Sequence, residues 1–301
     1  MAELLDHRHA VVGPSRHDRV AESTKASSMP DWNHIAELPL EEQVPIYVGH
    51  LEEHPADAPI WFDLGLAYKY LGRWNDSVTA NQRALSISHE PGDPAWWNLG
   101  IAATALRNWK LAREAWCGYG IEIDGTEGPI TCDWGMAPVR LPHGEVVWGE
   151  RLDPARLIVQ NVPIPDSNYR WGDIVLHDGA PNGERTVNGQ VYGVFDVLER
   201  WSPSEIPTFR VLVTCPSNED SHTLVDLFEE RKFAAEDWTS NVRKLCKACS
   251  EGNPDGHNHP FGTTENDRDF GIAAPRGLAE TLLKEWVNAG SGRSYSELQQ
   301  A

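Results

Sequence analysis

Ile60-Trp61-Phe62-Asp63-Leu64-Gly65-Leu66-Ala67-Tyr68 returns 35 residues later as Ala95-Trp96-Trp97-Asn98-Leu99-Gly100-Ile101-Ala102-Ala103, and this return decides how the first half of the chain is read. The register persists beyond it, because Trp74 falls on Trp109 and Ala80 on Ala115. Trp61, Leu64, Gly65 and Tyr68 stand at i, i+3, i+4 and i+7, which is one face of a helix. A glycine on that face lets a neighbouring helix approach closely. Gly72 breaks the first helix, and a second runs from Trp74 to about Ser88.

This W-x2-L-G-x2-Y pattern resembles the tetratricopeptide repeat (TPR) family, whose period is 34. The resemblance covers about residues 38–123. Ala84 falls late in the second helix of the first repeat. Ala112 and Trp116 fill the small and aromatic positions of the next, where Ala103 replaces the tyrosine. Leu40 to Pro55 is similar to the second helix of a preceding unit. The resemblance implies stacked helical hairpins that bind a protein or peptide. Trp97, Asn98 and Trp116 are the candidate partner-binding residues, the two aromatics as anchors. Chaperone-binding members of the family use a clamp of Lys, Asn and Arg. Only Asn98 matches a clamp position here, while Phe62 and Leu66 occupy others, so a chaperone tail is not the implied ligand.

After the repeats the period changes. Short apolar runs bounded by turn residues predict strands at Glu145–Trp148, Ala155–Val159, Asp173–Leu176, Gln190–Phe195 and Phe209–Val213. Gly179-Ala180-Pro181-Asn182-Gly183 and Asn188-Gly189 are read as the turns between them, the second being a strong hairpin signal. The expected architecture is a multidomain α + β chain. A flexible tail spans 1–34 and TPR-like helical hairpins span 35–125. An antiparallel β-rich barrel or sheet spans 126–216. A small α+β unit spans 217–301, with a helix from about Ser221 to Trp238, a strand at Phe270–Ala274 and a helix from Gly277 to Val287.

The densest chemical motif is Cys246-x2-Cys249-x7-His257-x-His259. A C-x2-C pair can turn two thiolates to one side of a knuckle, and two histidines can complete a zinc tetrahedron. Sulfur with imidazole favours zinc over magnesium or calcium, so a structural Zn2+ on Cys246, Cys249, His257 and His259 is expected. Cys215 is a possible substitute for one histidine, and Cys117 is expected in the core. A second reading starts from His257-Asn258-His259-Pro260 with Asp267 and Asp269. It resembles JAMM-type zinc proteins, in which two histidines and an aspartate hold zinc for hydrolysis. Asn266 stands where that family has a serine.

Composition narrows the functions. The 301 residues carry 45 Asp and Glu against 26 Lys and Arg, a formal charge of −19. That weighs against broad binding to a nucleic-acid backbone, which needs a basic face. No apolar run approaches the ~20 residues of a membrane span. The first twenty residues lack the apolar core of a secretory signal, and an odd count of five cysteines is no disulfide framework, so the cytoplasm is the expected location. Nucleophile elbows, Walker loops and dinucleotide fingerprints are absent. A non-enzymatic scaffold that binds a protein or peptide is the function these observations favour. The alternatives are the zinc-dependent hydrolase and an acidic, immunity-type inhibitor of a basic enzyme.

Overall fold

In the computed structural model, residues 30–90, 92–241 and 266–301 are described. They divide into two compact units. The first is the described part of Met1–Cys132 with Asp153–Ala155 and Asp178–Pro181. The second holds Asp133–Leu152, Arg156–His177 and the described part of Asn182–Ala301.

The first unit is helical: α1 (Trp32–Glu37), α2 (Leu40–Glu53), α3 (Ala58–Tyr70), α4 (Trp74–Ser88), α5 (Pro94–Ala105) and α6 (Trp109–Tyr119). Asp31 caps α1 by accepting from the His34 amide, so ordered helix begins inside the stretch expected as tail. Asp57 and Asp93 cap α3 and α5, accepting from the Ile60 and Ala95 amides, and a proline follows each within the first turn. Such carboxylates satisfy backbone donors that a helix start leaves open. From α2 onward each helix packs on the next, burying Tyr47, Leu51, Leu64 and Ala80 in one cluster and Ala84, Leu99 and Ala115 in another.

The repeat glycines have the role their face implies. A Cβ at Gly65 would stand 2.6 Å from the Asn81 amide, and one at Gly100 would stand 2.6 Å from the Trp116 ring. Asn81 and Trp116 are themselves 35 residues apart, so each repeat uses its glycine to admit the same position of its second helix.

The second unit contains two sheets. The first orders β1 (Met136–Arg140), β2 (Val146–Arg151), β3 (Arg156–Val159), β4 (Ile174–Val187) and β5 (Gln190–Ser202) as sequential neighbours. The antiparallel barrel or sheet expected over 126–216 is corrected here in direction and in membership. β1 and β5 pair in parallel, Val139 with Phe195 and Arg140 with Asp196. With five strands running alternately up and down, the first and last point the same way, so their pairing cannot be antiparallel. The predicted strand Phe209–Val213 belongs to the other sheet, and its place is taken by β1, which carries Pro138. Gly179–Gly183 is no turn but lies inside β4. The Asn188-Gly189 turn is as expected, with φ of 51° and 81°.

The second sheet follows β6 (Thr208–Thr214), α7 (Asn218–Glu230), β7 (Ala234–Asp237), α8 (Trp238–Asn241), β8 (Asp267–Ala273), α9 (Arg276–Ala289), β9 (Ser294–Tyr295) and β10 (Gln299–Gln300). The helix expected to reach Trp238 ends at Glu230, because β7 intervenes. Strand order is β10-β6-β8-β7, with β9 also on β6, a split βαβ arrangement. Phe209, Val211 and Val213 alternate inward against Leu224 and Phe228 of α7 and Leu282, Leu283 and Trp286 of α9. Among the described residues no helix is long and apolar enough to cross a membrane.

Gly100→Val places atoms in the Trp116 ring and is expected to destabilise the helical unit by about 1–3 kcal/mol. Gly49→Ala, on α2 with nothing within 4 Å, is expected to stabilise it by about 0.5–1 kcal/mol. Urea midpoints followed by far-ultraviolet circular dichroism check both.

Candidate functional site

Leu51 of α2, Leu64 and Tyr68 of α3 and Ala80 of α4 are buried core residues whose edges floor a groove of about 280 Å³. Val48, Glu52, Trp61, Asp76 and Thr79 complete its walls. The volume falls just short of the roughly 300–1,000 Å³ that encloses a small-molecule ligand. The walls suit side chains projecting from a peptide. Val48 is 37% exposed, an apolar residue the fold leaves in water. Two carboxylates edge the groove. Asp76 is paired with Arg73 at 2.7 Å, and the Arg73 guanidinium also lies 4.4 Å from the centre of the Tyr68 ring. Burial pushes the Tyr68 hydroxyl above its usual range, partly opposed by Arg73. Between residues 31 and 132 the chain has 15 Asp and Glu against 6 Lys and Arg, so the field around the groove is acidic.

A second hollow, about 530 Å³, is lined by His50, His54 and Pro55–Pro59. Its chemistry is already committed. His50 Nε2 meets Asp57 Oδ2 at 2.9 Å while Asp57 Oδ1 accepts from the Ile60 amide. Trp32 stands edge-on to His50 with centroids 4.8 Å apart, and the His54 ring lies tilted against His50 at 4.5 Å. These contacts fix the turn from α2 to α3.

The candidate partner-binding residues lie elsewhere, in the core. Trp97 is 2% exposed, Trp116 0% and Asn98 5%. Trp96 is the more exposed of the Trp96–Trp97 pair. Trp97 and Trp116 meet edge to face with centroids 5.2 Å apart, and the Trp97 indole occupies the place a Cβ would take at Gly179. Asn98 Oδ1 accepts from Lys69 Nζ at 3.1 Å. Lys69 is buried at the end of α3, and its ammonium also donates to Asp178 Oδ1 at 2.7 Å. Asp178 Oδ2 accepts from the Tyr70 hydroxyl at 2.6 Å. Burial works to raise the Asp178 carboxyl, but the Lys69 charge and these hydrogen bonds outweigh it and hold the group below the usual carboxylate range.

Cys246, Cys249, His257 and His259 lie outside the described residues. Among the described residues no group of three or more His, Cys, Asp or Glu could hold a metal. The expected zinc is corrected accordingly and enters no step below. Of the residues invoked for the hydrolase reading, Asp269 is ion-paired with Arg210 at 2.7 Å and Asp267 accepts from Thr214. Cys215 is buried, and Cys117 is exposed instead of core. Compared with known protein families and with curated proteins, the chain has no match.

The groove residues escaped sequence reasoning because Glu52 and Asp76 are unremarkable on a chain with 45 acidic residues. The one available signal was Trp61 and Tyr68 sharing a helix face.

Lys69→Met would leave the Asp178 carboxylate buried without its cation. It is expected to cost the helical unit about 3–5 kcal/mol, read as a fall in its denaturation midpoint, with part recovered in Lys69→Met/Asp178→Leu.

Proposed function

We propose that this chain is a non-enzymatic scaffold whose helical unit, a short TPR-type array, receives a peptide segment of a protein partner. The groove between α2, α3 and α4 is the observation that carries this reading. It combines an apolar floor, an exposed apolar wall residue at Val48 and the Glu52 carboxylate, Asp76 being engaged by Arg73. That chemistry selects a segment with apolar anchors beside Lys or Arg. Apolar contacts with Val48 and Trp61 supply affinity. The acidic surroundings speed encounter and reject acidic competitors. The cytoplasm is the compartment consistent with this role. An inhibitor of a basic enzyme would use the same charge complementarity and is a special case of the same surface.

A labelled peptide of alternating Leu and Lys, titrated with the full chain, tests the reading by fluorescence anisotropy. Binding is expected at low salt and should weaken as salt rises. The Leu/Glu counterpart should not bind. Glu52→Lys is expected to reduce affinity about 3–10-fold, as loss of one charge contact worth ~1 kcal/mol implies. Val48→Asp should reduce it further, with the helical circular dichroism signal unchanged in both variants. Equal affinity of wild type and both variants would refute the groove as the site.

A further inference from the structure

Glu145, just before β2, and Glu236, on β7, converge on one four-residue segment, Asn161-Val162-Pro163-Ile164. Glu236 Oε2 accepts from the Val162 amide at 2.7 Å, and its Oε1 accepts from Asn161 Nδ2 at 3.0 Å. Glu145 accepts from the Ile164 amide at 3.2 and 3.3 Å through its two oxygens. Pro163 between them has no amide hydrogen, so the carboxylates take the two backbone donors that flank it. The same segment ties both sheets of the second unit together. Asn161 Oδ1 accepts from the Trp148 amide of β2 at 2.6 Å, and Val162 oxygen accepts from Trp238 Nε1 of α8 at 2.7 Å.

The charges around this fastening do not balance. Glu145 faces Glu236. Glu236 faces Arg185 of β4 and has Asp237 beside it in β7. Asp237 is paired with Arg268 at 2.7 Å. Arg185 leans towards β2, donating to the Val146 oxygen at 3.4 Å with its guanidinium 5.8 Å from the Trp148 ring centre. His143, two residues before Glu145, is exposed. Two half-buried carboxylates on one segment, with the Arg185 charge acting on Glu236, resist being ionised together.

We propose that Glu145 and Glu236 form a proton-operated latch on Asn161–Ile164: with Glu145 protonated beside an ionised Glu236 the segment is fastened to both sheets, and loss of that proton loosens it. A protonated Glu145 keeps a carbonyl oxygen to accept from the Ile164 amide and presents no charge to Glu236. Ionised, it repels Glu236 across the segment and draws water in. Burial, reinforced by Glu236 and opposed by the Ile164 hydrogen bond, pushes the Glu145 carboxyl up to about 7. Burial raises Glu236 as well, against the Val162 and Asn161 hydrogen bonds and Arg185.

The sign follows from linkage. Above the unfolded carboxyl value near 4.3 and up to about 7, the folded chain holds a proton that the unfolded chain has lost. Latch stability is therefore greatest at the acid end of that window and falls as pH rises through it.

Amide hydrogen exchange of Val162 and Ile164 in the full chain, corrected for intrinsic rates, tests this between pH 5.5 and 8.5. Protection in the wild type is expected to fall about tenfold or more, while the Leu224 amide in α7 keeps its protection. In Glu145→Gln the neutral amide mimics the protonated acid, and protection at Val162 and Ile164 should be high and flat across the range. Because that variant is a near-isostere, a second measurement guards against misfolding: carbon-13 carboxyl shifts of wild-type Glu145 should titrate near neutrality. Protection that stays constant in the wild type, or falls equally in Glu145→Gln, would overturn the latch.

Discussion

The Lys69–Asp178 ion pair is the constraint around which the helical unit is organised. Both groups are almost wholly buried, at 3% and 4% exposure, and each is costly to withdraw from water unless its partner and hydrogen bonds are in place. Asp178 meets that demand with donors that include Lys69, the Tyr70 hydroxyl and the Gly179 amide. A buried pair of this kind adds little stability over an apolar pair of the same shape. What it adds is specificity. Sliding β4 by one residue would turn Asp178 to the opposite face and strand Lys69. Residues 178–181 are consequently held as part of the helical unit, with the Trp97 indole against Gly179.

This constraint also accounts for the burial of Trp97 and Asn98, the expected partner-binding residues, beside residues 178–181. A repeat pattern identifies which helix faces pack on neighbouring helices. It does not reveal that another face will be covered by residues eighty positions away. The helices themselves were legible. Asp57, Asp93 and their following prolines mark the starts of α3 and α5, and the 35-residue return of Gly65 at Gly100 marks the close approach.

The strands were legible as strands but not as members of a sheet. Phe209–Val213 alternates as cleanly as any, yet nothing in its own residues says that it pairs with β8 instead of β5. β1 was obscured by Pro138, a residue that normally argues against a strand. Gly179–Gly183 carries turn chemistry, but the Asp178 contacts hold its start in an extended strand. The carboxylates suffer the same limit more severely. Glu145 and Glu236 converge on one segment only because β7 is brought against the chain after β3, and neither has a motif around it to announce the convergence.

The parallel pairing of β1 with β5 is a short seam in the second unit. β1 shares five backbone pairings with β2 but only two with β5. Arg140 and Asp196 brace that short seam with an ion pair at 2.8 Å, and Asn182 donates to the other Asp196 oxygen at 2.7 Å. The chain enters β1 from the segment that follows α6. It enters at Met136, where the pairing with β2 begins, and reaches the β5 seam only at Val139 and Arg140, so β1 is secured to β2 along its length and to β5 at its exit alone.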